Sequence, residues 1–289
     1  MEVANRIEQA LEGAIARTLG PASPPRLVDA MRHAVFPGGA RVRPRLTLAV
    51  AMACAEDSPG LTDAVAASIE LLHCASLVHD DMPCFDDAAT RRGRASVHAA
   101  FGEPLALLTG DALIVLAFET LARAGVAAPN RLPGLIGVVA RGVGAPAGIV
   151  AGQAWECEPQ ADLGVYHQAK TGALFVAATT GGALAAGADP GPWRALGEGL
   201  GEAYQVADDL MDALANPDTC DKPCGQDSAH GRPNAVARLG VGGAVARLEG
   251  LVEAAAASIP ECRGADALRD LVRLQATRLV PKGLARTAA

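Results

Sequence analysis

The stretch LTDAVAASIELLHCASLVHDDMPCFDD, residues 61–87, joins an apolar segment with helical periodicity to an acidic run that holds four aspartates. Pro83 biases Met82 away from helical backbone, so the helix is expected to end near Asp81. Eight other segments show the same helical spacing of apolar residues, and gaps that contain glycine or proline separate them. They span roughly residues 4–19, 25–35, 43–54, 105–124, 133–153, 163–186, 193–214 and 244–259.

The composition favours an all-α fold. Hydrophobic residues make up 50% of the 289-residue chain and aromatic residues only 3%, while alanine and leucine, which favour helices, fill the periodic segments. The sequence shows neither the period-2 alternation of strands nor the fixed-period repeat of a solenoid. We therefore predict a single domain, residues 1–289, built as a many-helix bundle around a central cavity.

Charge and apolar patterning argue against several classes of function. The formal net charge is -7, and the chain lacks the basic blocks with which proteins bind nucleic acid. Its apolar stretches, such as 46–54 and 105–117, are too short or carry Asp111, whereas a membrane span needs about 20 nearly uncharged residues. Residues 1–6 lack the pattern of a secretory signal. We expect a cytoplasmic protein without a transmembrane segment.

Cysteine usage fits a reducing compartment. Seven cysteines, an odd number, are scattered along the chain, which favours free thiols over a disulfide framework. Cys220 and Cys224 are four residues apart, but a second Cys or His pair at zinc-finger spacing does not follow them. Most of the cysteines are therefore expected to be small core residues and not metal ligands.

A second acidic run, Asp208-Asp209-Leu210-Met211-Asp212, lies far from the first. Clustered carboxylates beside apolar segments repel one another unless cations neutralise them, and hard oxygen ligands select Mg²⁺. Magnesium usually bridges protein carboxylates to substrate phosphates. Either run alone could be a solvated acidic turn, since charge runs are usually surface features. The two together indicate a site for several metal ions and a phosphorylated ligand.

Helical spacing indicates which of the acidic residues share a helix face. Asp208 and Asp212 share one helix face, with Asp209 beside them. Asp80 and Asp86 would lie on different faces of a continuous helix, but a bend at Pro83 could return Asp86 toward Asp80. His73 and Ser76 precede Asp80 by seven and four residues and should share its stripe. A lone histidine is most often a hydrogen-bonded core residue, although beside a diphosphate His73 could donate to an anion.

Basic residues flank these runs. The turn Gly38-Gly39-Ala40-Arg41-Val42-Arg43-Pro44 presents two arginines at the start of a helix, and Arg91-Arg92-Gly93-Arg94 follows the first acidic run. Exposed arginines usually contribute only to solubility, but these lie next to carboxylates that already imply metal and anion. Lys170 and Lys222 are two of only three lysines in the chain, and an ammonium binds phosphate as a point charge.

Together these motifs resemble the trans, or head-to-tail, isoprenyl diphosphate synthases, especially bacterial geranylgeranyl diphosphate synthases of carotenoid and photosynthetic pigment pathways. The resemblance covers about residues 34–234. It rests on the GGxRxRP-like turn, His73, the DDxxxxD form of the first acidic run, Arg91-Arg92-Gly93, Lys170-Thr171, and Tyr204-Gln205 before the second run.

The resemblance implies an isoprenoid synthase type I fold and a Mg²⁺-dependent prenyltransferase, with three ions, for which Mn²⁺ could substitute. The implied metal ligands or their supports are Asp80, Asp81, Asp86, Asp208, Asp209 and Asp212. The implied groups on the allylic diphosphate are Arg91, Lys170 and Lys222. Those implied for isopentenyl diphosphate are Arg43, His73 and Arg92. Thr171 and Gln205 are placed to stabilise the allylic cation, and Arg232 stands where the family usually has a lysine.

The expected product is geranylgeranyl diphosphate, because Ala75 and Ser76 stand where family members that stop at fifteen carbons tend to have an aromatic residue. A homodimer is also expected. Ala40 replaces a usual lysine, and Arg41 or Arg43 could cover its loss; Tyr204 replaces a usual phenylalanine. Three alternatives are a farnesyl diphosphate synthase, a non-catalytic isoprenoid-binding regulatory subunit, and a class I terpene cyclase, which normally has an Asn/Ser/Glu metal site in place of Asp208 to Asp212.

Overall fold

Helices form almost all of the regular structure. The structure is a computed structural model, and it describes residues 3–36, 38–160, 162–214 and 234–276. Its α-helices are α1 (Val3–Ala16), α2 (Pro25–Val35), α3 (Val42–Ala53), α4 (Pro59–Asp80), α5 (Val97–Phe101), α6 (Glu103–Gly125), α7 (Leu132–Val143), α8 (Ile149–Ala154), α9 (Leu163–His167), α10 (Ala173–Ala185), α11 (Arg194–Leu214), α12 (Ala235–Ala257) and α13 (Ala265–Ala276).

The all-α prediction is confirmed, and the predicted bounds of α2 agree with the structure. Other segments differ in detail. The predicted helix 133–153 is two helices, α7 and α8, and 163–186 is α9, a π-helical turn at Gln168–Gly172, and α10. The sequence did not predict the short helix α5, the last helix α13, or a small hairpin of β1 (Thr90–Arg91) and β2 (Arg94–Ala95).

The central helix is α4, which packs against α1, α3, α6 and α10. Its buried residues lie on every side of the helix, so it lacks the polar face of a surface helix. The main hydrophobic core continues from Ile7 in α1 to Val272 in α13. This arrangement holds Asp80, the last residue of α4, at the end of a rigid, buried support.

Two described helices, α4 and α6, are long and apolar enough to cross a membrane by length and composition. The most apolar window of α4 is 78% buried inside the bundle, as expected of a core helix. The window of α6 is 44% buried, and its exposed residues include Leu107, Leu108 and Val115. The predicted helix 105–124 agrees with α6 within two residues at each end, and the apolar stretch 105–117 lies inside it.

Close packing of α10 on α3 requires glycine at position 182. A Cβ built there would lie 2.4 Å from the carbonyl oxygen of Thr47, which belongs to the backbone and cannot rotate away. Gly250, in the exposed part of α12, has open space where an added Cβ would lie. The two glycines are therefore a matched pair for testing the helix packing.

We expect Gly182→Ala to lower the free energy of unfolding by about 1–3 kcal/mol, the usual cost of overpacking a core. Gly250→Ala should raise it by about 0.5–1 kcal/mol, because alanine loses less backbone entropy than glycine in a helix. Urea denaturation followed by circular dichroism measures both. Equal effects of the two substitutions would contradict the packing of α10 on α3.

Candidate active site

The first acidic run begins at the end of α4 and then turns back on itself. The backbone N–H of Asp86 donates to the carbonyl oxygen of Asp80 at 3.0 Å, and that of Asp87 donates to Met82 at 3.1 Å. The helix ends at Asp80 and Pro83 lies in the turn, as expected from its effect on Met82. The bend therefore brings the backbone of Asp86 back to Asp80, as the sequence suggested.

Asp80 and Asp81 are adjacent but have different environments. Asp81 is 3% exposed, and its Oδ1 accepts hydrogen bonds from both Nε (2.8 Å) and Nη2 of Arg91. Burial acts to lower the pKa of Arg91, but the hydrogen bond to Asp81 and the negative charges of Asp81, Asp80 and Asp86 together outweigh it, and the net direction is upward. Because its oxygen is committed to Arg91, Asp81 is placed as the partner of that arginine. Its role in supporting a metal ion stays a prediction.

Asp80 lies between two cations. Its Oδ2 is 3.5 Å from Nη2 of Arg91, and its Oδ1 is 3.4 Å from Nζ of Lys170. Burial would lower the pKa of Lys170, but Asp80, Tyr166 and Glu156 outweigh it and raise the pKa above its ordinary value. Lys170 is therefore an ammonium ion next to the predicted metal ligand.

Three residues that the sequence analysis missed surround Lys170. Nζ of Lys170 donates to Oε1 of Glu156 at 2.6 Å, the hydroxyl of Tyr166 donates to the same oxygen at 2.5 Å, and Nε2 of Gln153 donates to Oε2 at 2.9 Å. Lys170 lies in the π-helical turn, a feature that is frequent at functional sites. A glutamate fourteen residues before Lys170 follows no local spacing rule, so this contact could not be predicted from the sequence.

A second group of side chains lies around Arg43 and His73. Nη1 of Arg43 is 3.5 Å from Nε2 of His73, and its guanidinium lies 4.7 Å from the centre of the Phe175 ring. The rings of Phe175 and Tyr204 are 5.0 Å apart. Burial, reinforced by Arg43 and Arg92, holds the pKa of His73 well below its ordinary value. The imidazole is therefore neutral and can still donate one hydrogen bond.

The neighbouring aspartates of the second acidic run also differ in solvent exposure. Asp208 is exposed, and Asp209 is 3% exposed. Asp209 accepts from Nε2 of Gln205 at 3.1 Å and from the backbone N–H of Ala235 at 2.7 Å, so it anchors the start of α12 to α11. Gln205 in turn accepts from the hydroxyl of Thr171 at 3.0 Å. These bonds give Asp209 a structural task, and its role as a support of a metal ion stays a prediction.

Arg41 is a structural residue. It is 5% exposed, and it donates to Glu70 at 2.7 Å, to Glu8 at 2.9 Å and to the carbonyl oxygen of Val35 at 2.8 Å. The exposed Ala40 precedes it. The suggestion that Arg41 takes over from the missing lysine is therefore wrong, because its donors point into this buried network.

The remaining predicted residues lie at the hairpin, in α4 or outside the described chain. Arg92 is exposed and has a left-handed backbone (φ 55°), and its guanidinium lies over Gly39, where a Cβ would be only 2.9 Å away. Ala75 is 1% exposed in the main core, and the Ser76 hydroxyl donates to the carbonyl oxygen of His73 at 2.8 Å. Lys222, Arg232, Cys220 and Cys224 lie outside the described residues.

The carboxylates near Asp80 suit magnesium held jointly with a ligand. Over residues 3–36, 38–160, 162–214 and 234–276, groups of three or more His, Cys, Asp or Glu side chains that could hold a metal ion were not found. Magnesium is usually bound by one or two carboxylates, waters and substrate phosphates. Asp80 beside the returning backbone of Asp86, with Lys170 and Arg91 able to meet phosphate, fits that mode of binding.

The chain resembles proteins of known sequence and structure over nearly its whole length. Residues 24–255 match the model of the polyprenyl synthetase family. This chain belongs to the polyprenyl synthetase family. It is 54% identical to a geranylgeranyl diphosphate synthase of Cereibacter sphaeroides over 99% of both chains, and 50% identical to one of Rhodobacter capsulatus over 97% of both.

Among solved polyprenyl synthetase relatives, a geranyltransferase of Helicobacter pylori complexed with magnesium and isoprenyl diphosphate has a similar structure. The TM-score is 0.82, with 29% identity over 96% of both chains. The agreement extends the family resemblance from motifs to the arrangement of helices.

Within this polyprenyl synthetase, we expect Asp209→Ala to lower the free energy of unfolding by about 1–3 kcal/mol, because the N–H of Ala235 loses its partner. Asp208→Ala, at the exposed neighbour, should change it by less than about 0.5 kcal/mol. Asp209→Asn keeps an oxygen acceptor and should lie between them. Chemical denaturation in the absence of metal measures all three, and equal losses for Asp208→Ala and Asp209→Ala would contradict the division of roles.

Proposed function

We propose that this polyprenyl synthetase is a magnesium-dependent head-to-tail prenyltransferase that condenses isopentenyl diphosphate with dimethylallyl, geranyl and farnesyl diphosphates to make geranylgeranyl diphosphate. The observation that carries the proposal is the 54% identity, over 99% of both chains, to a relative named for that product. The placement of Lys170 and Arg91 on either side of Asp80 supports the proposal, because binding of a diphosphate requires positively charged side chains as well as metal ions.

Magnesium, when bound, would neutralise the charge that develops on the departing diphosphate. Asp80, Asp86 and Asp208 are the residues that would hold it, with Asp81, Asp209 and Asp212 in support. Lys170 and Arg91 would bind the allylic diphosphate beside Asp80, and Lys222 is proposed to join them. Charged donors that are already in place lower the barrier to departure of the diphosphate, because they need not reorganise during the reaction.

Arg43, His73 and Arg92 are proposed to bind the diphosphate of isopentenyl diphosphate, and Arg232 is proposed to contribute further charge. The oxygens of Thr171 and Gln205 would stabilise the allylic cation by their dipoles while the double bond attacks it. Their hydrogen bond at 3.0 Å fixes both side chains at one place. The apolar residues around Phe175 and Tyr204 would exclude water, which otherwise quenches the cation.

Several finer proposals accompany this function. We propose three Mg²⁺ ions with Mn²⁺ as a substitute, a cytoplasmic location, one domain over residues 1–289, and a product that supplies carotenoid synthesis. A homodimer is also proposed, since Leu107, Leu108 and Val115 of α6 are between 49% and 67% exposed and form an apolar surface that a second copy could cover. Light scattering of the purified chain tests the dimer, and a monomer at micromolar concentration would refute it.

Incubation of the purified protein with farnesyl and isopentenyl diphosphates and Mg²⁺ tests the main proposal. We expect a twenty-carbon diphosphate, identified by chromatography after dephosphorylation. A terpene cyclase would release a hydrocarbon, and a non-catalytic regulatory subunit would leave both substrates unchanged. Full turnover with excess chelator would contradict the requirement for metal.

Asp80→Ala and Asp208→Ala should each lower kcat by at least about a hundred-fold, as expected for loss of a group that stabilises developing charge. Asp270→Ala, which removes an exposed carboxylate in α13, is the control and should retain activity. Steady-state assays at saturating Mg²⁺ give the comparison. A loss of only a few-fold in Asp80→Ala would mean that this carboxylate does not hold the metal.

Product length is expected to depend on the last two turns of α4. Ala75→Phe should shift the main product to farnesyl diphosphate, because a ring there would block elongation without changing the residues around Asp80. Ala75 is 1% exposed, so the ring must also displace core neighbours. Ser76→Phe, at a partly exposed position, is the second variant should Ala75→Phe fail to fold. The same alcohol from the wild type and the folded variants would refute the role of these positions.

A further inference from the structure

Two carboxylates share one ammonium group in the candidate site. Nζ of Lys170 is 2.6 Å from Oε1 of Glu156 and 3.4 Å from Oδ1 of Asp80. A short charged hydrogen bond is considerably stronger than a contact near the limit of hydrogen-bond distance. Glu156 is therefore the main partner of Lys170, and Asp80 is the secondary one.

Glu156 is itself fixed by two further donors. The Tyr166 hydroxyl donates to Oε1 at 2.5 Å, and Nε2 of Gln153 donates to Oε2 at 2.9 Å. Both oxygens of the carboxylate are thus engaged, and the side chain is only 14% exposed. Since Gln153 comes from α8 and Tyr166 from α9, two separate elements hold Glu156 in one orientation.

A close backbone contact at Gly152 sets the distance between Glu156 and Lys170. A Cβ at Gly152 would lie 2.4 Å from the backbone nitrogen of Lys170 and 2.5 Å from its Cα. Glycine at this position therefore lets α8 touch the π-helical turn that carries Lys170. Glu156 follows Gly152 by four residues, so the close approach brings its carboxylate within reach of the ammonium.

This arrangement determines where the ammonium rests relative to Asp80. Without the carboxylate of Glu156, the nearest anionic group to Nζ among the described contacts of Lys170 is Asp80. The ammonium would then pair directly with Asp80, and a paired carboxylate competes less well for a divalent cation. Glu156 opposes this outcome by attracting Nζ to the other side.

We propose that Glu156 is a positioning residue that holds the Lys170 ammonium away from Asp80, so that Asp80 stays available to Mg²⁺ until the diphosphate arrives. The proposal rests on the proposed function of the same site. Tyr166 and Gln153 act through Glu156, since they fix its carboxylate. The residue is not expected to touch the substrate, and its effect passes through Lys170.

Calorimetric binding of inorganic diphosphate at increasing MgCl₂ concentration tests the proposal without turnover. Glu156→Gln should raise the Mg²⁺ concentration for half-maximal binding by about ten-fold, the scale of losing one charge-assisted hydrogen bond. Glu158→Gln makes the same charge change at an exposed position two residues away and should leave the value unchanged. Equal Mg²⁺ requirements for the two variants would overturn the proposal.

A double variant distinguishes a positioning role of Glu156 from a general effect of removing its charge. In a Lys170→Gln background, adding Glu156→Gln should change the Mg²⁺ requirement by less than about two-fold, because the ammonium that would close on Asp80 is gone. A ten-fold change in that background would overturn the mechanism.

Two milder variants keep the test decisive if Glu156→Gln fails to fold. Tyr166→Phe removes one of the donors that orient the Glu156 carboxylate but leaves its charge in place, and should raise the Mg²⁺ requirement by about three-fold. Glu156→Asp keeps the charge but shortens the side chain, and should fall between wild type and Glu156→Gln. No shift in either would overturn the proposal. Failure of the wild type to make any prenyl product would instead refute the proposed function, so the two failures are distinguishable.

Discussion

The structure depends on how the carboxylates along and beyond α4 are paired with cations. Glu70 and Asp81 are 2% and 3% exposed, and each is paired with its own arginine, Arg41 and Arg91. A buried carboxylate without a partner would cost several kcal/mol, far more than one surface interaction contributes. The closed bundle around α4 therefore requires both pairs.

Buried pairs of this kind fix positions more than they add stability. Desolvation of both charges cancels much of their attraction, whereas removing one partner costs about 3–5 kcal/mol. Exposed pairs such as Arg194 with Glu198 contribute at most about 1 kcal/mol. The stability of the fold must therefore come mainly from the core between α1 and α13, while the buried pairs determine which acidic side chains remain at the site.

The sequence predicted the helices well because their apolar spacing is local. It also predicted the bend after Asp80, since the effect of Pro83 on Met82 is a property of neighbouring residues. It could not separate Asp80 from Asp81, because the difference is set by Arg91, ten residues later in a hairpin with little strand character. The same limit hid Glu156, whose partners come from α8, α9 and the π-helical turn.

Two neighbouring arginines illustrate the same limit on the side of the site that we propose to bind isopentenyl diphosphate. Arg41 and Arg43 look equivalent in sequence, but Arg41 has a left-handed backbone (φ 50°) and points into the network with Glu8 and Glu70, whereas Arg43 stacks on Phe175. His73 is held neutral by burial and by neighbouring arginines, so it can add a hydrogen bond but little charge. With alanine at position 40, the positive charge in the described part of this side must come from Arg43 and Arg92. Nε of Arg43 is buried without a hydrogen-bond partner. A diphosphate oxygen that reached it would satisfy a donor that the protein alone leaves unpaired. That gain favours Arg43 as the main anchor of the diphosphate.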